Sequence, residues 1–240
     1  MNTTAYSSEA GKREQVERMF NSIATKYDFL NHFLSAGTDI LWRKKTVALL
    51  KKKAPKKILD MATGTADLAI EAAYTLHPED ITGIDISENM LLLAGEKIKK
   101  KNLGNIIRLK REDSEKTSFP GNNFDAVTVS FGVRNFENLE KGLREMHRVL
   151  KPGGTAVILE FSTPGKFPVK QLYHFYFRRI LPLIGKIFSG NTQAYHYLPE
   201  SVKAFPSGRD FIKIMDACGF EKTGFIPLSF GIASIYYGEK

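Results

Sequence analysis

The sequence contains only one cysteine, Cys218, among its 240 residues, and this scarcity excludes two kinds of structure. A single thiol cannot form an intramolecular disulfide or a cysteine-cluster zinc site. The five histidines show no spacing typical of metal ligands, so we expect no metal site. A chain without disulfides is typical of a reducing compartment, and we therefore expect a cytoplasmic protein.

Long hydrophobic runs are missing as well. The longest uncharged stretch, residues 223–238, is shorter than the roughly 20 apolar residues of a membrane-spanning helix, and Pro227 and Gly231 interrupt it. Residues 1–11 are small and polar and lack the apolar segment of a secretory signal, so we interpret residues 1–13 as a loose arm. These patterns predict no transmembrane segment, although they leave room for contact with a membrane from outside.

Acidic residues are absent between Arg43 and Lys57, whereas eight residues of this stretch are basic. The stretch therefore carries +8 of the formal net charge of +9. Three interpretations fit this basic stretch: a solvated helix end and loop, a surface for anionic lipid at the inner face of a membrane, or a nucleic-acid surface.

The hydrophobic pattern predicts the fold class. Hydrophobic residues make up 42% of the chain, which is ordinary for a globular protein. Apolar residues at helical spacing predict helices over residues 14–28 and 39–53, and residues 14–53 together form an N-terminal helical cap. Five apolar runs then alternate with helical segments, at residues 57–61, 81–86, 105–109, 124–130 and 155–161. This alternation is typical of the α/β class, with a doubly wound, mostly parallel sheet covered on both faces.

The rest of the chain departs from this alternation. Residues 162–206 are basic and contain nine aromatic residues, and we interpret them as an insertion that covers the substrate. Residues 167–189 within it suit a lid that rests on a lipid surface, with a helix packed on the sheet as the alternative. Residues 207–240 predict a closing helix, 208–218, and a hairpin. We therefore expect one domain, in which residues 57–161 bind a cofactor.

Candidate ligand-binding residues follow the predicted strands, because ligands of open α/β sheets bind at the carboxyl ends of the strands. Gly64 lies in a turn of small residues, which lets the backbone approach a ligand closely. Asp85, 21 residues later, could accept hydrogen bonds from both hydroxyls of a ribose. Asp113 and Ser114 follow the third strand, where an acid or amide could accept a hydrogen bond from an adenine amine.

The turn after the first strand favours a particular class of nucleoside. A pyrophosphate binder needs G-x-G-x-x-G, but Ala62 and Ala66 stand where two of those glycines would help. Asp60 and Asp67 flank the turn instead, and carboxylates suit a cationic ligand without phosphate. S-adenosylmethionine is such a ligand. The alternative is that these residues form only a tight turn and a helix cap.

Two further observations argue against nucleic acid as the substrate. Nucleic-acid amine methyltransferases typically carry an Asn/Asp-Pro-Pro-aromatic run after the fourth strand, where this chain has Ser130-Phe-Gly-Val-Arg-Asn135. Cys218 lies on a predicted helix away from any strand end, so we interpret it as a core residue rather than a nucleophile. We therefore expect no nucleic-acid partner.

Several motifs point to one family. They are Tyr27-Asp-Phe-Leu-Asn31, Leu34-Ser-Ala-Gly37, Trp42-Arg-Lys44, Leu59-Asp-Met-Ala-Thr-Gly-Thr-Ala-Asp67, Ser130-Phe-Gly-Val-Arg-Asn135, Leu150-Lys-Pro-Gly-Gly154, Leu159-Glu-Phe-Ser162, Tyr195-His-Tyr-Leu-Pro-Glu-Ser-Val202 and Phe205-Pro206. Together they resemble the ubiquinone/menaquinone biosynthesis C-methyltransferases, which are class I enzymes that use S-adenosylmethionine. The resemblance covers about residues 14 to 238.

The resemblance implies a function. The family transfers a methyl group to a carbon of a polyprenylated hydroquinone ring in respiratory quinone biosynthesis. The expected acceptor is demethylmenaquinol, and the equivalent benzoquinol of the ubiquinone pathway is the alternative. A nucleic-acid methyltransferase, a nicotinamide oxidoreductase or a non-catalytic binding module fits less well. An anionic membrane surface is an expected partner, and a homo-oligomer is compatible with the sequence.

The resemblance also implies roles for single residues. Contacts with S-adenosylmethionine are implied for Thr65, Asp85, Asp113, Ser114 and Ser130. Arg134 and Asn135 then lie where the methyl donor meets the acceptor ring. We predict that Arg134 stabilises the phenolate of that ring, directly or through water, and an ion pair that ties its loop to the core is the alternative. Further candidates that could cover the site are Tyr27, Asp28, Tyr195 and Tyr197. For the three tyrosines, packing in the core is the alternative.

Overall fold

A computed structural model describes residues 11–35, 37–165, 167–168, 170–171, 173 and 192–240. Most of the predicted arm, and most of the segment at residues 167–189, lie outside these described residues.

Seven strands form one sheet. They are β1 (Lys57–Met61), β2 (Asp80–Asp85), β3 (Ile107–Arg111), β4 (Phe124–Ser130), β5 (Leu150–Phe161), β6 (Glu221–Leu228) and β7 (Ala233–Glu239). Their order is β3-β2-β1-β4-β5-β7-β6. Strands β1 to β5 pair in parallel, whereas β7 pairs antiparallel with both β5 and β6. The predicted doubly wound, mostly parallel sheet with a closing hairpin is confirmed.

Helices cover this sheet. Within the described residues they are α1 (Lys12–Leu34), α2 (Thr38–Ala48), α3 (Asp67–Leu76), α4 (Glu88–Lys100), α5 (Leu139–Val149), α6 (Thr192–Ala204) and α7 (Arg209–Ala217). Short 3₁₀ turns span Lys51–Lys53, Val133–Asn135 and Ser229–Gly231. Ser87 caps α4 as predicted, because its side chain accepts a hydrogen bond from Met90 N.

Two apolar layers form because neighbouring residues of a strand point to opposite faces of the sheet. Ile58 belongs to the layer under α2, α3 and α4, whereas Leu59 belongs to the layer under α5 and α7. Both side chains are completely buried. Cys218 is buried in the second layer, which confirms its interpretation as a core residue, and burial raises the pKa of its thiol.

Several element bounds differ from the predicted ones, and local backbone conformation explains why. Helix α1 begins at Lys12, inside the predicted arm, and α2 ends at Ala48, before the 3₁₀ turn and the left-handed Ala54. Strand β3 begins two residues later than predicted, after a turn with Asn102 in the left-handed region. Strand β5 begins at Leu150 rather than 155, because the pairing with β4 shifts register and residues 151–154 bulge out.

Alanine substitutions at two helix glycines are expected to change stability in opposite directions. Alanine normally stabilises a helix interior over glycine by about 1 kcal/mol. A Cβ at Gly142 in α5 would overlap the ring of Phe136, however, so Gly142→Ala is expected to destabilise the fold by about 1–3 kcal/mol. At Gly95 in α4 the nearest atom is Leu109 Cδ1 at 3.9 Å, so Gly95→Ala should stabilise it. Urea unfolding of both variants checks this, and equal shifts of the two midpoints would contradict it.

In the ranges that the structure describes, no helix is long and apolar enough to cross a bilayer.

Candidate active site

A cleft lies at the carboxyl ends of the parallel strands, and we call it the main cleft. The loops after β1, β2, β3 and β4 form its floor, and α1 lies over it. Its lining includes Arg13, Val16, Phe20, Tyr27, Ala62, Gly64, Asp85, Asp113, Ser114, Ser130, Phe131, Asn135 and Phe136. The topology thus brings together residues that are far apart in sequence.

A second cleft adjoins the first along the turn after β1, and we call it the side cleft. It shares Tyr27, Gly64 and Ser130 with the main cleft. The side cleft adds charged and hydroxyl groups, which are Arg43, Asp60, Thr63, Thr65 and Asp67. The two clefts together form one site, in which charged side chains lie among the apolar lining of the main cleft and along the side cleft.

The residues predicted to hold the donor lie in these clefts. Five of the six, Gly64, Asp85, Asp113, Ser114 and Ser130, line the main cleft. Thr65 lines only the side cleft, where its hydroxyl donates a hydrogen bond of 2.5 Å to Asp28 Oδ1. Their contacts with a donor remain predictions, but their placement around one site follows directly from the sheet order.

The turn after β1 is held to β2 by Asp85. Its Oδ2 accepts a hydrogen bond from Gly64 N and its Oδ1 accepts one from Ser87 N, each at 2.9 Å. Gly64 has a φ of +56°, a left-handed conformation that glycine adopts easily. Asp85 therefore holds the turn after β1 and the start of the segment that leads into α4, whose N-cap is Ser87 and not Asp85, and it also lines the main cleft. Burial raises its pKa despite these two bonds.

Asp60 is a buried carboxylate at the end of β1, only 1% exposed. Thr63 Oγ1 and Thr128 Oγ1 each donate a hydrogen bond of 2.6 Å to it. Burial raises its pKa to about 6, and nearby Asp85 adds to this effect, whereas the hydroxyl groups and Arg43 oppose it. An ionised Asp60 thus leaves negative charge beneath the side cleft, which a cationic group could offset.

Arg43 was missed by the sequence reasoning, which placed it in the basic stretch. Its guanidinium is buried and pairs with Asp39 Oδ2 at 2.5 Å and Asp67 Oδ2 at 3.2 Å. Lys53 and Lys56 of the same stretch also pair with acids, Glu239 and Glu79. The stretch is therefore not one uniform basic surface. The spacing of Asp39 and Arg43, four residues apart on a helix, is a signal that could have shown the pairing.

A second ionic link joins α1 to the turn. Lys97 Nζ on α4 contacts Asp67 and lies 2.8 Å from Asp28 Oδ2 on α1. Asp28 in turn accepts the hydrogen bond from Thr65. Asp28, predicted to cover the site, therefore positions the turn through its contacts.

Arg134 lies beside the main cleft but is not among the residues that line it. Its Nη1 donates hydrogen bonds of 2.6 Å to Glu160 Oε1 and 2.5 Å to Phe131 O. The side chain of Arg134 is 6% exposed, and that of Glu160 is 0% exposed. Burial alone would lower the pKa of Arg134, but Glu160, Tyr27 and Tyr197 raise it. The ion pair that the sequence left open as an alternative is present, and a role for Arg134 in catalysis remains a prediction.

One edge of Arg134 is not saturated. Its buried Nε has no hydrogen-bond partner within the described residues. Tyr27 and Tyr197 interact electrostatically with the Arg134 guanidinium and raise its pKa. Burial raises the pKa of the Tyr173 hydroxyl, and the charge of Arg134 opposes this shift. The guanidinium therefore lies among three tyrosines that come from α1 and from residues 162–206.

Asn135 links the main cleft to α6. Its Oδ1 accepts a hydrogen bond of 3.0 Å from the Tyr197 hydroxyl, and its Nδ2 donates one of 3.3 Å to Phe131 O. Tyr27 lines both clefts. The side chain of Tyr195, the remaining candidate for covering the site, lies outside the described residues.

The start of α1 is a part of the site that the sequence did not predict. Arg13 lines the main cleft and its Nη1 lies 3.0 Å from Asp113 Oδ2. Val16 and Phe20 add apolar lining on the same face of the helix. Their helical spacing could have shown a shared face, but not which surface it covers.

The charges fit a cationic nucleoside with an amino-acid tail better than a diphosphate. Asp85 and Asp113 line the main cleft, and Asp60, Asp67 and Arg43 line the side cleft. A diphosphate would meet these carboxylates, whereas a sulfonium, an ammonium and a carboxylate each find a group of opposite charge. No cluster of three or more potential metal-ligating side chains occurs in the part of the chain that the structure describes.

Comparison with known proteins adds independent findings. A model of the ubiE/COQ5 methyltransferase family matches residues 8–240. The chain is 48% identical over 235 residues to a demethylmenaquinone methyltransferase of Bacteroides fragilis, covering 98% of this chain and 96% of that protein. It is 46% identical over 230 residues to a ubiquinone/menaquinone biosynthesis C-methyltransferase of Geotalea daltonii, covering 95% and 97%.

Solved structures show a similar fold. A SAM-dependent methyltransferase from Thermotoga maritima matches with a TM-score of 0.64 and 17% identity, covering 93% of this chain and 99% of that one. At this identity the likeness concerns the fold alone.

Proposed function

Because the chain belongs to the ubiE/COQ5 methyltransferase family, we propose that it methylates a ring carbon of demethylmenaquinol with S-adenosylmethionine as the methyl donor. Membership in the family, together with 48% identity to a demethylmenaquinone methyltransferase, is the observation that carries this proposal. The benzoquinol of the ubiquinone pathway is the second candidate, because the Geotalea daltonii relative is named for both pathways.

The residues of the two clefts suit the parts of the donor. Asp85 would accept hydrogen bonds from the ribose hydroxyls, and Asp113 and Ser114 would face the adenine. In the side cleft, Asp60 would face the ammonium group and Arg43 the carboxylate of the amino-acid tail. Gly64 and Ser130 line both clefts, and Thr65 lines the side cleft.

When bound, the donor supplies an electrophilic methyl group on a sulfonium. The protein must then make a ring carbon of the acceptor nucleophilic, which requires that a neighbouring hydroxyl lose its proton. Methyl transfer would form a carbon–carbon bond and break the carbon–sulfur bond, with S-adenosylhomocysteine as the leaving group, and loss of the hydrogen of that ring carbon as a proton would restore the aromatic ring. Arg134 would stabilise the resulting phenolate, since a preorganised cation in a dry site is worth far more than in water. Glu160 holds Arg134 in place, because its Oε1 accepts a hydrogen bond from Arg134 Nη1 and its Oε2 accepts one from the backbone N of Arg134. Water is the better proton acceptor, because the pKa of arginine exceeds about 12.

Asn135 and Tyr197 would position the ring. Their mutual hydrogen bond closes the end of the main cleft next to Arg134. The apolar lining from Phe131 and Phe136 would exclude water from the carbon that is methylated.

The direct test is incubation with S-adenosylmethionine and reduced demethylmenaquinol, followed by mass spectrometry. The expected product gains one methylene, and the oxidised quinone should gain nothing because it has no hydroxyl to deprotonate. A parallel reaction with the demethylated benzoquinol distinguishes the two acceptors. Methylation of neither quinol, despite donor binding in a calorimeter, would overturn the proposal.

A further inference from the structure

Helix α2 presents an unusual outer face. Its inner residues, among them Trp42, are buried against the sheet, whereas Ile40 is 45% and Leu41 58% exposed. Lys44 and Lys45 are exposed on the same outer side of the helix. No acidic residue lies on this side, and the described residues form no ion pair with either lysine. Large aliphatic side chains and unpaired lysines therefore share one surface.

The tip of the β6–β7 hairpin adds an aromatic side chain to the exposed apolar residues. Phe230 is 84% exposed. It has a φ of 58°, and the preceding Ser229 has a φ of 44°, so two consecutive residues other than glycine adopt the left-handed conformation. Such backbone conformations are strained, and they cluster where a protein binds something.

The hairpin tip is joined to α2 through the buried side chain of Trp42. Trp42 Nε1 on α2 donates a hydrogen bond of 2.9 Å to Ser229 Oγ at the tip. The Trp42 ring also contacts Phe131, which lines the main cleft, with 6.2 Å between the ring centroids. Helix α2 and the hairpin tip therefore both adjoin the edge of the sheet at which the main cleft lies. We call Ile40, Leu41, Lys44, Lys45 and Phe230 the docking face.

We infer that the docking face binds the surface of a bilayer that contains anionic lipid. Phe230, Leu41 and Ile40 would enter the headgroup region, as aromatic and aliphatic side chains of interfacial proteins do, while the two lysines neutralise lipid charge. This combination of charge complementarity and exposed apolar area fits lipid, because a nucleic acid would use the lysines alone. The inference rests on the proposed function, in which a polyprenyl tail keeps the acceptor in the bilayer.

Sedimentation with vesicles tests the docking face. The unchanged chain should sediment with phosphatidylcholine vesicles that contain phosphatidylglycerol, and less with phosphatidylcholine alone or at high salt. Phe230→Asn and Leu41→Gln should each lower the partition coefficient by about tenfold, and the Lys44→Glu/Lys45→Glu pair should lower it by about tenfold or more at low salt. Asparagine tolerates the left-handed backbone, so Phe230→Asn should fold normally.

Matched variants on α4 serve as controls. Leu92 is 63% exposed, and Lys99 and Lys100 are exposed on the same helix. Leu92→Gln and Lys99→Glu/Lys100→Glu change surface hydrophobicity and charge equally, so they should leave sedimentation unchanged. Failure of the unchanged chain to sediment, or an equal loss in the α4 variants, would overturn the inference.

Two acceptors separate this inference from the proposed function. A demethylmenaquinol with a short tail, in solution, reports on the active site, whereas a long-tailed quinol in the same vesicles reports also on docking. Docking-face variants should lose turnover only with the vesicle-bound quinol. If the unchanged chain methylates neither quinol, the proposed function fails; if the variants retain full turnover on vesicles, the docking face fails.

Discussion

An Arg134→Gln substitution is expected to lower kcat for quinol methylation by about a hundredfold or more, because a neutral amide cannot stabilise the developing phenolate. The Kd for S-adenosylmethionine should change little, since Arg134 lines neither cleft. Arg134→Lys keeps the charge but loses the planar group that pairs with Glu160 and Phe131 O, so it should recover only part of kcat. Steady-state kinetics with reduced demethylmenaquinol and calorimetry with the donor measure both quantities.

The buried ion pair between Arg134 and Glu160 also contributes to stability, so a second variant separates the effect on catalysis from the effect on folding. Removing Arg134 leaves the fully buried Glu160 carboxylate without its partner, which typically costs about 3–5 kcal/mol of stability. The double variant Arg134→Gln/Glu160→Gln removes both charges and should regain most of that stability. If Arg134 acts in catalysis, this double variant is folded but inactive. A folded double variant with normal kcat would show that the pair only ties the loop to the core.

An Asp60→Asn substitution should have opposite effects on stability and on donor binding. Burial raises the pKa of Asp60 to about 6 in the folded chain, from 3.8 for an unperturbed aspartate. The folded state therefore binds a proton at Asp60 more tightly than the unfolded state does. The stabilisation that results is fully present below about pH 4 and is lost as the pH rises through about 6. A pKa shift of about two units corresponds to about 3 kcal/mol. Asp60→Asn should therefore raise the free energy of unfolding by up to about 3 kcal/mol at pH 7–8.

Donor binding should change in the other direction. An ionised Asp60 faces the cationic end of the donor in our proposal, so Asp60→Asn should raise the Kd for S-adenosylmethionine by about tenfold. Affinity of the unchanged chain should fall as the pH drops below about 6. Asp85 contributes in the same direction, because burial raises its pKa too. Affinity that is constant between pH 5 and 8, or an unchanged Kd in the variant, would contradict this assignment.

Asp125 provides a control of opposite sign. Burial would raise its pKa, but hydrogen bonds from Lys151 and from the backbone amides of Lys56 and Lys57 outweigh this and lower it. Stability from Asp125 is therefore present above about pH 4 and is lost below it. Asp125→Asn should destabilise the fold at neutral pH. Urea unfolding from pH 3 to 8 separates the two cases, and equal effects of both substitutions would contradict the argument.

The sequence predicted the sheet because both faces of a parallel sheet are buried, so its inner strands β1, β2, β4 and β5 contain apolar runs that the sequence pattern reveals. The predicted strand boundaries were wrong where a local backbone conformation determines the end of a strand. Asn102 in the left-handed region delays β3, and the bulge before Thr155 lengthens β5 at its start. Neither conformation changes the hydrophobic pattern, so periodicity could not detect it.

The same reasoning explains which site residues could be predicted. Gly64, Asp85 and Asp113 follow strands, and the strand order alone brings them to one edge. Arg13 and Arg43 come from helices that precede the sheet, and their place over the clefts depends on how those helices pack. A run of basic residues conceals a buried arginine, since composition does not tell a solvated charge from a paired one.

The pairing of β5 with β7 has a geometric consequence. Glu160, which holds Arg134, stands opposite Ser234 in this ladder, only a few residues from the hairpin tip that carries Phe230. If the docking face contacts a bilayer as inferred, the β5–β7 pairing would hold Arg134 at a set distance from that bilayer. We therefore expect quinols with shorter or longer isoprenoid tails to present the same ring carbon to Arg134.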